Sequence, residues 1–202
     1  MYMDRTLQSL LEDPAIAAIA PDAISKWDLT KEAFYHWTLT EIADKMGWQV
    51  LNRGFMSLFA AAGREHFYHK LYTEAERQAD PAKESASLVY FPSDDPAADD
   101  RPFMLLVPGG GFVNVWNLTE GWPVARHYNE RGYHVLILTY RVGVEAAAVK
   151  AMEDIARAME IIAEKKDSFR VNPEKYLTCA GSDSVENTSM ASNLLRLAIS
   201  RR

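Results

Sequence analysis

A chain of 202 residues with 48% hydrophobic and 25% charged side chains is long enough to bury one good core and too apolar to be disordered throughout. Its formal charge of −6 argues against a surface that tracks phosphates, and the only locally basic stretch is the tail Arg196…Arg201-Arg202, so no nucleic-acid partner is expected. No stretch nears the roughly 18 apolar residues of a membrane span, no basic-then-apolar leader opens the chain, and the single Cys179 cannot form an internal disulfide, which together predict a cytoplasmic protein without a membrane span.

From Asp4 to about Glu76 the apolar spacing is helical, with Leu7, Leu10 and Leu11 on one face. A second helix is predicted from the capping candidates Asp28 and Thr30 through Phe34, Leu39, Ile42 and Met46 to a stop at Gly47. A third helix, or a pair, runs from Trp48 to about Ala62 and is closed by Gly63. The polar stretch Ala79 to Ser85 reads as a connection, which divides the chain into a helical extension over 1–80 and a second unit over 86–202.

After Ser87 strands and helices alternate. Leu88 to Phe91 and the wholly apolar Phe103 to Val107 are predicted strands, joined by the turn-rich Pro92 to Asp100, which reads as a solvated, hairpin-like loop. A helix is expected from Glu120 to Arg131 with its stop at Gly132, a third strand from His134 to Tyr140, and a fourth from Tyr176 to Cys179 after the turn Asn172-Pro173. Between the last two strands, Glu145 to Lys165 is amphipathic. Its apolar stripe is Val149, Met152, Ile155, Ala156, Met159, Ile162 and Ala163, which leaves Glu153 and Asp154 on the solvated side. Apolar strands separated by amphipathic helices predict an α/β fold, a parallel sheet flanked by helices on both faces.

Two turns in this frame carry chemistry. Leu105-Leu-Val-Pro-Gly-Gly-Gly-Phe112 is an apolar strand that breaks into three glycines, and only glycine lets the backbone come close enough to seat an anion on its N–H groups. Lys175-Tyr-Leu-Thr-Cys-Ala-Gly-Ser-Asp-Ser184 is a strand ending in a small-residue turn that presents the Ser182 hydroxyl near its apex. Sites in open α/β sheets gather at the carboxyl ends of strands, where both turns fall, so the pair points to acyl transfer with Ser182 as nucleophile. The plainer alternative makes Ser182 to Ser184 the cap of a helix carrying Met190, Leu194, Leu195 and Leu197.

The glycine run lacks the spacing of a dinucleotide loop, because Asn114 holds the third glycine's place and the next strand ends in Tyr140-Arg141 without an acid; no cofactor is expected. His66-Phe-Tyr-His69 has metal-compatible spacing on a helix but no Cys or carboxylate cluster beside it, so two ordinary histidines and no metal are expected. Cys179, with no basic neighbour in the chain, reads as a small buried hydrophobe. Trp116 and Trp122 flank the glycines and either line a pocket or pack beneath the helical extension.

Pro108-Gly-Gly-Gly-Phe112, Gly132-Tyr133 with the strand to Tyr140-Arg141, the helix holding Met152-Glu-Asp154, and Asn172-Pro-Glu-Lys-Tyr-Leu-Thr-Cys179 resemble the α/β-hydrolase family, in particular bacterial esterases of the hormone-sensitive-lipase and feruloyl-esterase-like type. The likeness runs from about Leu88 to Cys179, and the helical extension is similar to the N-terminal cap that some members carry. The resemblance implies a small-molecule ester substrate, Ser182 as nucleophile, and an oxyanion hole built from the N–H groups of Gly110, Gly111 and Asp183. The family has His where Pro108 stands, and Gly-x-Ser-x-Gly where this chain has Ala180-Gly181-Ser182-Asp183-Ser184.

By the same resemblance, the acid and histidine of a triad follow the serine. Twenty residues follow Ser182 and none is His; the five histidines lie at 36, 66, 69, 127 and 134. The expectation is an incomplete α/β-hydrolase, truncated after the nucleophile elbow, with two readings of its function. One is a serine ester hydrolase by descent that is inactive as this chain; the other is a non-catalytic half-fold that covers an unfinished sheet edge with a partner or with a second copy of itself.

Overall fold

A computed structural model of the chain describes residues 2–19 and 34–180. Helix α1 (Leu7–Leu11) buries its three leucines, as their spacing requires. Helix α2 (Leu39–Met46) starts at Thr38, whose hydroxyl accepts the Glu41 N–H while the Glu41 carboxylate accepts the Thr38 N–H, and it stops at Gly47 in the left-handed region. This start is later than predicted: the chain breaks between Phe34 and Thr38, and Asp28 and Thr30 lie outside the described residues. Helix α3 (Leu51–Ala62) ends at Gly63 as expected. The rest of the leader is not all helical, because Tyr68–Lys70 forms strand β1 ahead of α4 (Glu74–Ala79).

Strand β1 joins β2 (Ser87–Phe91), β3 (Phe103–Val107), β4 (Val135–Thr139) and β5 (Tyr176–Ala180) in one sheet ordered β1-β2-β4-β3-β5. Strand β3 pairs in parallel with β4 and with β5, whereas β2 runs antiparallel to β4 and to β1. The α/β architecture is the expected one, but the sheet is mixed and not parallel throughout. Its cause is the connection after β2, which contains only the 3₁₀ turn Pro96–Asp100 and no helix long enough to carry the chain back to the starting edge. Strand β3 therefore runs back from the edge where β2 ends. The hairpin-like reading of this loop also fails, since β4 lies between β2 and β3.

All five residues of β2, of β3 and of β4 are buried, as a sheet covered on both faces demands. Alternate side chains feed two cores. Val89, Phe91, Met104, Leu106, Val135 and Ile137 meet the leader helices and α5 (Trp122–Asn129), with Leu7, Leu39, Phe55 and Trp122 among the facing residues. Leu88, Leu105, Leu136 and Leu138 share the other core with α6 (Ala147–Glu164) and with Phe169 of the short α7 (Lys166–Phe169). Each large apolar side chain fully buried in this way stabilises the fold by about 1.5–3 kcal/mol. Gly54 allows α3 to lie directly on α5, since a Cβ there would sit 3.0 Å from Cγ of Pro123.

The buried stripe of α6 is Ala151, Asp154, Ile155, Ala158, Ile161 and Ile162, rotated from the predicted one. Val149 is 56% exposed and Asp154 is fully buried, so the reading of Asp154 as a solvated carboxylate is wrong. Arg141, just beyond β4, supplies the charge that lets Asp154 lie inside. Its backbone N–H donates to Asp154 Oδ2 at 2.7 Å, its Nε to Oδ1 at 2.9 Å, and the Tyr72 hydroxyl adds a third donor at 2.5 Å.

At the amino end of β4, His134 is buried between Ser93, Tyr90 and Asp99. Its Nδ1 accepts the Ser93 N–H at 3.1 Å, which leaves the proton on Nε2, 3.0 Å from Asp99 Oδ1. The Tyr90 hydroxyl donates to the Phe169 carbonyl at 2.6 Å, and burial pushes its pKa up to about 12. Burial holds the His134 pKa below the ordinary 6.5, outweighing the hydrogen bond it donates to Asp99, while Arg170 adds to the depression. A histidine with a depressed folded pKa binds more protons when unfolded, so its contribution is complete above pH about 6.5 and is lost as pH falls toward the folded value. The expected result is that urea-unfolding free energy falls with acidification below neutrality more steeply in the wild-type chain than in His134→Asn. Parallel pH profiles for the two proteins would contradict this.

Candidate active site

The site is framed by the parallel pairing of β3 with β5, in which Val107 lies opposite Ala180. Neighbouring strands are about 4.8 Å apart, so the glycine turn after Val107 starts beside Ala180, the last described residue of β5. Ser182 and Asp183, the expected nucleophile and third oxyanion donor, lie outside the described residues. Gly110 and Gly111 stand at the carboxyl end of β3, where they were expected.

The glycine turn is held from several sides. The Tyr140 hydroxyl donates to the Pro108 carbonyl at 2.9 Å, and the Gly109 N–H donates to Glu120 Oε2 at 2.8 Å. The Gly109 carbonyl accepts the Trp116 N–H at 3.0 Å, and the Gly110 carbonyl accepts the N–H groups of Val113 and Asn114 at 3.0 and 3.1 Å. The backbone reverses through three consecutive positive φ values, 137° at Gly110, 59° at Gly111 and 61° at Phe112. Among the described residues, the N–H groups of Gly110 and Gly111 make no hydrogen bond. Within the described residues both are thus open to an acceptor, the arrangement an anion-binding turn requires.

Around the turn, Trp116 is half-buried and meets the edge of Trp48 at 6.2 Å, whereas Trp122 is buried against Phe55 at 5.4 Å. Of the two tryptophans, Trp122 packs beneath the leader helices and Trp116 borders the turn together with a leader residue. Cys179 is half-buried, not fully buried as expected; what burial it has pushes the thiol up, and the Glu120 charge adds to that, which opposes a thiolate. Burial likewise raises the Tyr140 hydroxyl, again with Glu120 contributing, so Tyr140 serves as a donor to Pro108. On the far side of Tyr140 lies the ion pair of Arg141 and Asp154. Burial raises the Asp154 carboxyl, but its acceptor-only set of donors is that of an ionised carboxylate.

The described histidines whose strand positions are fixed lie away from this turn. His66 and His69 are not on a helix: His66 occupies a left-handed turn and His69 sits on β1, its Nε2 2.9 Å from the His66 carbonyl oxygen. Strand β1 is four places from β5 in the sheet, about 19 Å away. His134 is at the opposite end of β4. Among the described residues no group of three or more His, Cys, Asp or Glu could hold a metal ion, and no helix is long and apolar enough to cross a membrane. A 70 Å³ cavity bordered by Ser57, Arg64, Asp94, Arg126 and Asn129 lies by Phe91 at the carboxyl end of β2, opposite the amino end of β4, with Arg64 bound to Asp94 and Arg126 to Glu130.

Sequence reasoning missed Glu120 and Asp154. Asp154 was detectable, because it lies three residues from Ala151 and four from Ala158 on one helical face. Nothing in the spacing announces Glu120, whose role depends on the turn Asn117–Gly121 being a π-turn, with the Trp122 N–H reaching back to the Asn117 carbonyl.

No family model matches the chain, and no curated protein matches it. Solved structures of esterases and α/β-hydrolases are similar to parts of it. A sugar hydrolase from Lactococcus lactis is 22% identical with a TM-score of 0.42, over 47% of this chain and 38% of its own. An esterase from the planctomycete Thermogutta terrifontis is 22% identical with a TM-score of 0.42, over 48% of this chain and 35% of its own. An acetyl ester-xyloside bifunctional hydrolase from Caldicellulosiruptor lactoaceticus is 21% identical with a TM-score of 0.46, over 56% of this chain and 41% of its own. The chain thus spans less than half the length of each of these structures.

Proposed function

We propose that this chain carries the nucleophile and oxyanion half of a serine ester hydrolase. Ser182 is the nucleophile, the N–H groups of Gly110, Gly111 and Asp183 receive the oxyanion, and the helices within 1–80 cap the site over the hydrolase unit of 86–202. The observation that carries the reading is the adjacency of β3 and β5 in parallel register, which brings the turn with its two open N–H groups beside the strand that leads to Ser182. Trp48 against Trp116 supports a leader that reaches the site.

A serine hydroxyl needs a base, and an oxyanion hole with binding alone gives only about 10³–10⁴ over water. With His134 and the pair His66 and His69 far from the turn, the 202-residue chain is expected to hydrolyse short p-nitrophenyl esters no faster than Ser182→Ala. Turnover well above that variant, abolished by changing one leader histidine, would contradict the inactive reading while keeping the nucleophile.

The second reading, a half-fold that associates, is favoured by β5, where Leu177 is 43% exposed on a strand paired only with β3 among the described residues. Light scattering on the same preparation separates the two: a dimer or larger species supports association, and a monodisperse monomer at micromolar concentration removes it.

A further inference from the structure

Three glycines in a row have no conformation of their own to hold, since glycine loses more freedom on folding than any other residue. A pair of N–H groups on such a turn is preorganised only if its neighbours clamp the backbone. Position 108 offers no help with its own N–H or a polar side chain, because it is proline. The clamps present are the Tyr140 hydroxyl on Pro108, the amides of Val113, Asn114 and Trp116 on the glycine carbonyls, and Glu120 on the Gly109 N–H. Among them, Glu120 is the one that binds through a carboxylate, and charge-assisted hydrogen bonds are about twice as strong as neutral ones. It also takes up the one glycine N–H of the run that is not left open.

From this we infer that Glu120 is a positioning residue for the turn: by holding the Gly109 N–H inward it fixes Gly110 and Gly111 with their N–H groups outward. The inference deepens the ester-hydrolase reading and rests on it. It also has an electrostatic signature. A carboxylate behind an anion-binding turn repels the anion, so charge and hydrogen bond act on affinity in opposite directions. Glu120→Gln keeps an acceptor and removes the charge, whereas Glu120→Ala removes both.

The test is ¹⁵N NMR of the full chain, with phenylphosphonate as the oxyanion probe. In Glu120→Ala, amide exchange at Gly109 should rise, and phenylphosphonate affinity read from the Gly110 and Gly111 shifts should fall, each by roughly tenfold or more. In Glu120→Gln, exchange should stay near the wild-type rate and the probe should bind as tightly or more tightly. A tertiary scaffold role alone would not make Gln and Ala differ in the sign of the affinity change. Should Glu120→Ala fail to fold, Glu120→Asp, which withdraws the carboxylate by one methylene, must reproduce the loss of Gly109 protection. Unchanged exchange and affinity in the Ala or Asp variant would overturn the assignment. Absence of any shift at Gly110 and Gly111 in the wild-type chain would instead overturn the oxyanion reading, because the exchange comparison tests the anchor independently.

Discussion

Gly110→Ala is expected to destabilise the chain by about 3 kcal/mol or more, the combined effect of a glycine-only backbone region and a hard clash. The φ of 137° lies where L side chains are rarely found, and a Cβ would sit 2.1 Å from the Asn114 carbonyl oxygen and 2.6 Å from its carbon. Those atoms cannot yield easily, because Asn114 closes the turn by donating its own N–H to the Gly110 carbonyl. Gly111 is the internal control. Its φ is 59°, yet a Cβ there meets nothing within 4 Å, so Gly111→Ala should be destabilising by only about 1 kcal/mol. Urea unfolding of the two variants measures the difference. Equal losses would mean that the turn is not packed as described.

Asp154→Ala is expected to cost about 3 kcal/mol, because it removes the buried carboxylate facing the Arg141 guanidinium and leaves it, among carboxylates, only the more exposed Glu153 and Asp80. Arg141 is 2% exposed, and it would lose the carboxylate that accepts its N–H and Nε, keeping Glu153 at 2.8 Å and the Lys150 carbonyl at 3.1 Å. Tyr72 would lose its acceptor as well. The double variant Arg141→Met with Asp154→Leu should be less destabilised than Asp154→Ala alone, since replacing both charges removes the desolvation penalty that breaking the pair exposes. Equilibrium unfolding of the set decides it. A loss below about 1 kcal/mol in Asp154→Ala would show that the pair is not buried as a unit.

What could be read from the chain and what could not divide along physical lines. Strands β3 and β4 were legible because both are continuous apolar runs, and Gly47 marked a helix end because the left-handed backbone there favours that single residue, whereas Gly63 closes α3 in ordinary right-handed backbone. The glycine turn was legible for the same reason as Gly47. Strand β1 was not, since three half-buried residues owe their conformation to pairing with β2, with Tyr68 opposite Val89. The direction of β2 was equally hidden, because strand periodicity is the same in either direction. Thr38 and Glu41 did carry a readable signal, the spacing of a capping box, and it was overlooked in favour of Asp28 and Thr30. Asp154 was misassigned because a charge on an amphipathic helix was placed by polarity before its spacing was weighed. The Glu120 contact was out of reach, being a meeting of a π-turn with a glycine amide.

The most direct test of the account asks whether the glycine turn and Ser182 share one site. Nuclear Overhauser effects between the amide protons of Gly110 and Gly111 and the β-protons of Ser182, measured on the isotopically labelled full chain, report it. Cross-peaks from at least one of the two amides to Ser182 are the predicted result. Contacts that place Ser182 at the other edge of the sheet, beside β1 or the amino end of β4, would contradict it and end the ester-hydrolase reading.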